Sequence, residues 1–133
     1  MLMVDTCFLI DYQRESKRRR RGAIAAFLEA HADERLQISP VAWGEFLAGF
    51  SDETHPFVQF ARDRLDFPPL ELSVASAYRS IFRHLKASGQ LIGANDLWIA
   101  SHAVALDQAL VSRNGSEFRR VPGLRLITYG EGE

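Results

Sequence analysis

The feature that most constrains this chain is an alternation. Short apolar runs recur along it, each separated from the next by a stretch long enough for one or more helices. Leu2-Met3-Val4 comes first, followed by the alternating Leu36-Gln37-Ile38-Ser39, by Leu70-Glu71-Leu72, by Ala109-Leu110-Val111-Ser112 and by residues 124–127. Runs this short and this apolar read as buried strands. Strands joined through helices rather than tight turns pair in parallel, and a parallel sheet needs cover on both faces. The expectation is therefore α/β architecture, with a mainly parallel central sheet flanked by helices on both faces. At 133 residues the chain has the length of a single domain, taken as residues 1–133.

The intervening segments carry helix signals of unequal clarity. Phe8-Leu9-Ile10 suggests a short helical turn after the first strand. An uninterrupted basic block, residues 17–21, is expected at or just before a helix through Ala23-Ile24-Ala25-Ala26-Phe27-Leu28. Pro40 suits the first turn of a helix over residues 41–50. Phe57, Phe60, Ala61 and Leu65 recur at helical spacing until Pro68-Pro69 stops the pattern. Ser73 is placed as the N-cap of a helix whose apolar face runs through Val74, Ala77, Tyr78, Ile81, Phe82 and Leu85, with Ser88-Gly89 ending it. Gly93-Ala94-Asn95 leads into a helix from Asp96 to about Ala105, and Asn114-Gly115 marks a turn before a helical turn at Glu117-Phe118.

Composition removes several functional classes. A single cysteine, Cys7, rules out an internal disulfide framework and a thiolate-rich zinc site, and fits a reducing cytoplasm. The four histidines lack any HExxH spacing, so zinc hydrolysis has no support, and they are read as ordinary helix or surface residues. Cys7 has no recognisable histidine partner and is read as a buried structural thiol. No phosphate-binding glycine loop of the GxGxxG or GxxxxGK[ST] kind occurs. No apolar stretch approaches the roughly 20 residues that span a bilayer, and Met1-Leu2-Met3-Val4 meets Asp5 too soon for a signal-peptide core. The expected location is the cytoplasm, away from membranes. A formal charge of −1 supplies no global attraction to nucleic acid, so any such contact must be local.

The acids are the chemistry that is left. In open parallel sheets, functional groups gather beyond the carboxyl ends of the strands. Asp5 follows the first strand directly, Glu45 lies in the helix after the second, Asp96 opens a helix, and Asn114 with Glu117 follows a late strand. Asp5 alone fits a strand-ending turn or cap as well as it fits a ligand. Asp96 gains about 0.3–1 kcal/mol from the helix dipole in a first turn, so capping and function are balanced there, although Asn95 can already serve as the cap. Glu45 is flanked by Val41, Ala42, Trp43, Phe46, Leu47, Ala48 and Phe50, which predicts partial burial and hence a cation or strong donors beside it. Taken together, carboxylates brought close raise one another's pKa unless a cation compensates, and an all-oxygen set of this size suits Mg2+ or Mn2+. Such ions activate water and offset charge on a phosphodiester.

These motifs resemble the PIN-domain ribonucleases, and within them the VapC-type toxins of bacterial toxin–antitoxin pairs. The resemblance spans nearly the whole chain and rests on residues 3–10, on Trp43-Gly44-Glu45-Phe46 with Gly49, on residues 92–100, and on Leu110-Val111-Ser112-Arg113-Asn114 leading to Glu117-Phe118. It implies an endoribonuclease with Mg2+ or Mn2+, with Asp5 and Asp96 as principal metal ligands and Glu45 as a further acid. Many relatives carry an aspartate where this chain has Asn114, so either Asn114 supplies a neutral oxygen or Glu117 supplies the charge. Thr6 matches the hydroxyl residue after the first acid and is expected to bond Asp5 or an RNA phosphate, and Arg113 is expected to contact RNA. A VapB-type antitoxin and a homodimer are implied as partners. Trp43, Phe46, Phe50, Phe57 and Phe60 either line the antitoxin's groove or belong to the core. The alternative function is a catalytically weak PIN-fold binding module that acts on nucleic acid through its antitoxin complex.

Overall fold

A computed structural model describes residues 1–130. Four strands, β1 (Leu2–Val4), β2 (Leu36–Ile38), β3 (Ala109–Ser112) and β4 (Leu126–Thr128), form one sheet in the order β2-β1-β3-β4. Every pairing is parallel, with Val4 opposite both Ile38 and Val111. Each residue of β1 and of β3 is buried. Because successive side chains on a strand point to opposite faces, this uninterrupted burial means that both faces of the sheet are covered.

The order of the strands sets where a site can form. The chain begins in the middle of the sheet at β1, passes to the edge at β2, then crosses back to the other side of β1 for β3 and β4. The direction reverses between β1 and β3, and open α/β sheets leave a crevice beyond the strand ends at such a point. Asp5 and Ser112 stand there.

Seven helices occur among the described residues: α1 (Thr6–Arg18), α2 (Ala23–Ala30), α3 (Pro40–Leu47), α4 (Pro56–Arg64), α5 (Leu72–Ala87), α6 (Ala94–Ala105) and α7 (Gly115–Phe118). The short turn expected at Phe8 is the start of the 13-residue α1. Asp5 caps it, and the charged residues that follow are good helix formers whose run shows no apolar period. The basic block divides. Lys17 and Arg18 sit in the last turn of α1, where cations complement the helix dipole, and Arg19 closes that helix in the left-handed region at φ 52. Arg20 and Arg21 then lead to Gly22, the N-cap of α2. Gly22 has no side chain to cap with. Glu15 reaches across from α1 instead, accepting from Ile24 N at 3.0 Å and Ala25 N at 2.8 Å, through space that a Cβ at Gly22 would occupy.

The strand expected at Leu70-Glu71-Leu72 does not form. The segment that reaches the β2 edge makes an isolated bridge at Asp66, which pairs with Gln37. Pro68 and Pro69 follow, and without N–H groups they cannot continue a ladder. Leu70 is 45% and Leu72 87% exposed, and Glu71 rather than Ser73 is the N-cap of α5. Its apolar face is as expected, with Val74, Ile81 and Leu85 buried and Tyr78 stacked on Trp98 of α6 at 4.0 Å between ring centroids. Gly93 takes the N-cap of α6 in place of Asn95. One of the histidines read as helix or surface residues is a buried helix residue of α6. His102 is fully buried, and burial lowers its pKa, a shift that the Pro69 carbonyl and Glu71 only partly offset.

Candidate active site

Asp5 is the innermost acid. Its backbone N–H donates to Val111 O at 3.3 Å, which ties the end of β1 to β3, and its extended backbone makes it the N-cap of α1. Oδ1 accepts from Phe8 N at 3.0 Å, and Oδ2 accepts from the Ser112 hydroxyl. The residue is 3% exposed. Burial raises its pKa to about 6, against the lowering effect of the Ser112 and Phe8 hydrogen bonds, and nearby Asp11 adds to the rise. Capping alone does not account for a carboxylate here, because a serine or asparagine would satisfy Phe8 N without that cost.

Asp96 lies in the first turn of α6 and is partly buried. Its pKa is also pushed up to about 6, first by burial, then by the charges of Glu117, Glu45 and Asp5, and by proton sharing with Glu117. The charges of Asp5 just beyond β1, Glu45 of α3 and Glu117 of α7 therefore all act on Asp96. Two aspartates with raised pKa values at a crevice, one of them beside further carboxylates, are the electrostatic signature of a functional site. Asn114 is the N-cap of α7, and its backbone N–H donates to Ser112 Oγ at 2.9 Å. Its side chain makes no hydrogen bond among the described residues.

Glu45 departs from the expected burial. In α3 the buried positions are Ala42, Trp43 and Phe46, while Gly44 and Glu45 face solvent. The apolar flanks misled because Gly44, Ala48 and Gly49 are small enough to sit on an open face. Glu45 is oriented nonetheless: Thr6 Oγ1 donates to Oε1 at 2.8 Å, and Asn95 Nδ2 donates to Oε2 at 3.1 Å. The Thr6 proton thus goes to Glu45 rather than to Asp5. Cys7 is partly rather than fully buried, and burial together with Asp5 pushes its thiol pKa up.

Arg113 is half exposed beside this cluster, with Nη1 3.1 Å from Asp11 Oδ1. Tyr129 donates to Asp11 Oδ2 at 2.8 Å, so Asp11 joins α1 to the chain beyond β3 and β4. Of the aromatic candidates, Trp43 and Phe46 are core, whereas Phe57 and Phe60 line a shallow hollow with His55 and Lys17.

The donor set fits a hard dication, since it offers carboxylates whose mutual repulsion a cation would relieve. Among the described residues no three His, Cys, Asp or Glu side chains are arranged as a ready ligand set.

The model of the PIN domain matches residues 2–124. The chain belongs to the PIN-domain family. Within it, Ribonuclease VapC2 of Rickettsia felis is 40% identical over 99 residues, covering 71% of this chain and 74% of that protein. Ribonuclease VapC of Rickettsia bellii is 26% identical over 135 residues, covering 96% and 95%. Among solved structures, VapBC2 from Rickettsia felis bound to a DNA fragment from its promoter aligns with a TM-score of 0.82 at 26% identity, covering 96% of this chain and 97% of that one. VapBC-1 from nontypeable Haemophilus influenzae aligns at 0.77 and 25% identity, covering 96% of each chain. The PIN-domain reading of the sequence is thereby shown, together with the α/β fold it implied.

Sequence reasoning passed over four residues that shape this PIN-domain site. Ser112, Asn95, Asp11 and Tyr129 hold acids or Arg113 in place across the fold. Only Ser112 had a local signal, a polar residue closing an otherwise apolar strand.

Proposed function

We propose that this PIN-domain protein is a VapC-type toxin that cuts RNA with a divalent metal held by Asp5 and Asp96. The observation that carries the reading is the convergence of Asp5, Glu45 and Glu117 on Asp96 beyond the carboxyl ends of β1 and β3, with both aspartates raised to about 6. Bound Mg2+ or Mn2+ would acidify a coordinated water and offset charge on the phosphodiester.

The protein's own groups supply position and proton control. Phe8 N–H and the Ser112 hydroxyl fix both oxygens of Asp5, leaving a free lone pair on each. Asp96, less buried, faces the other acids and completes the anionic wall. Glu45, held from both sides by Thr6 and Asn95, is oriented to accept a proton from a water beside the scissile phosphate. Glu117 is assigned the fourth corner because its charge acts on Asp96, whereas the Asn114 backbone serves to orient Ser112. Arg113 is placed to meet an RNA phosphate.

A VapB-type antitoxin is the proposed restraint, and the solved relatives bear the joint name VapBC. The toxin is proposed to act in the cytoplasm as a homodimer. No helix among the described residues is long and apolar enough to cross a membrane. The test is cleavage of structured RNAs beside matched DNA, with Mg2+, with Mn2+ and with EDTA. Cleavage of RNA alone, lost with EDTA and in Asp5→Ala and Asp96→Ala, is expected. RNA left intact by the purified, antitoxin-free protein with either metal would refute the assignment and favour a binding module.

A further inference from the structure

The acid cluster raises a difficulty for an RNA substrate, because it repels the polyanion it has to hold and the chain as a whole carries a formal charge of −1. The cations that offset this must be local. A cleft of about 470 Å³ between the end of α1, the start of α2 and the ends of β3 and β4 is lined by Arg14, Arg18, Arg20, Arg21 and Arg113. Among the described residues two carboxylates face them, Glu15 and Asp11, and both are engaged. Glu15 caps α2, and Asp11 holds Arg113 and Tyr129. Arg21 pairs with Glu29 at the surface, whereas Arg14, Arg18 and Arg20 have no ion-pair partner among the described residues. A shallower depression continues outward past Arg19, sharing Arg20 and Arg21 with the cleft. The inner end of the cleft meets the acids, since Arg113 directly follows Ser112, whose hydroxyl donates to Asp5, and the charge of Asp11 acts on Asp5.

We infer that this arginine-lined cleft is the subsite for the RNA backbone leaving the catalytic acids, with Asp11 as the positioning residue that aims Arg113 at the junction. The inference rests on the RNA-cleaving reading above and says where the strand runs. Guanidinium groups match phosphate oxygens in a bidentate fork, and unpaired ones on a curved wall suit successive phosphates better than one compact anion. Without Asp11, Arg113 is free to turn and pair with the acids instead of the substrate.

The test uses a labelled single-stranded oligoribonucleotide and the full chain in an Asp96→Asn background, so that binding is read without cleavage. Each backbone contact contributes a slope of about −0.7 to the dependence of log affinity on log salt. Arg18→Ala/Arg20→Ala should flatten that slope by about 1.4, whereas Arg79→Ala/Arg83→Ala on α5, which removes the same charge away from the cleft, should leave it unchanged. In the cleaving protein the first pair should raise KM for a long RNA about tenfold with kcat nearly constant, and leave cleavage of a substrate covering only the scissile bond unaltered. Asp11→Asn should weaken RNA binding in the parent and have no further effect on it in Arg113→Ala, although its cost to thermal stability persists in both. Equal slopes for the two arginine pairs, in variants that melt like the parent, overturn the cleft assignment while RNA cleavage itself stands. Loss of antitoxin affinity with RNA affinity intact also overturns it, and assigns the cleft to an acidic peptide. Failure of the unmodified protein to bind or cut RNA removes both readings.

Discussion

Neutralising the most buried acid should stabilise the fold while abolishing activity. Asp5 is 3% exposed, and its pKa is raised from an ordinary 3.8 to about 6. A carboxyl shifted upward stabilises the folded state while protonated, fully below about pH 4, and that contribution is lost as pH rises through about 6. At about 1.36 kcal/mol per unit, the ionised group costs metal-free protein about 3 kcal/mol near pH 8. Asp5→Asn removes the charge, keeps an Oδ1 acceptor for Phe8 N, and presents an amide to Ser112 Oγ. In EDTA near pH 8 the variant should therefore be more stable than the parent by about 1–3 kcal/mol, the lower figure allowing for an imperfect amide fit. For a chain of this length that is a rise in Tm of roughly 3–10 °C. Urea unfolding at about pH 4 and about pH 8, with and without Mg2+, checks it. The gain should vanish at the lower pH, and Mg2+ should stabilise the parent but not the variant. A variant less stable than the parent at about pH 8 in EDTA would show that Asp5 is a structural cap, and would refute the reasoning.

Other perturbations probe the remaining corners. Because Asp5 and Asp96 both titrate near 6, calorimetric Mn2+ affinity should fall at least about tenfold between about pH 7.5 and 5.5, as protons compete for both ligands. Ser112→Ala removes a hydrogen bond that lowers the pKa of Asp5, so the acid limb of the pH–rate profile should move upward, with a stability loss of about 1–3 kcal/mol in chemical denaturation. Glu117→Gln should move the Asp96 titration downward, observable by carboxyl NMR, whereas Asn114→Ala should leave it in place. Glu45→Gln should lower kcat about 100–10,000-fold with a change in stability under about 0.5 kcal/mol, since the residue is exposed.

The sequence by itself determined the kind of fold and the chemical character of the site. Short apolar strands, helical periodicities and an acid after the first strand are local properties, legible wherever the chain folds. Local reading failed where neighbours in space overrode it. Leu70-Glu71-Leu72 has strand character, yet Pro68 and Pro69 leave the β2 edge bridged only at Asp66. Glu45 has apolar neighbours, yet it lies on the open side of α3. Only tertiary structure decided the strand order, and with it the crevice between β1 and β3. That order brings Ser112 to Asp5 across 107 positions and Tyr129 to Asp11 across 118. A carboxylate's pKa and orientation depend on distance and solvent access, quantities that exist only once the chain has closed on itself. Asp5 was recognisable as an acid at a strand end, and its burial, its partners and its raised pKa came from the fold.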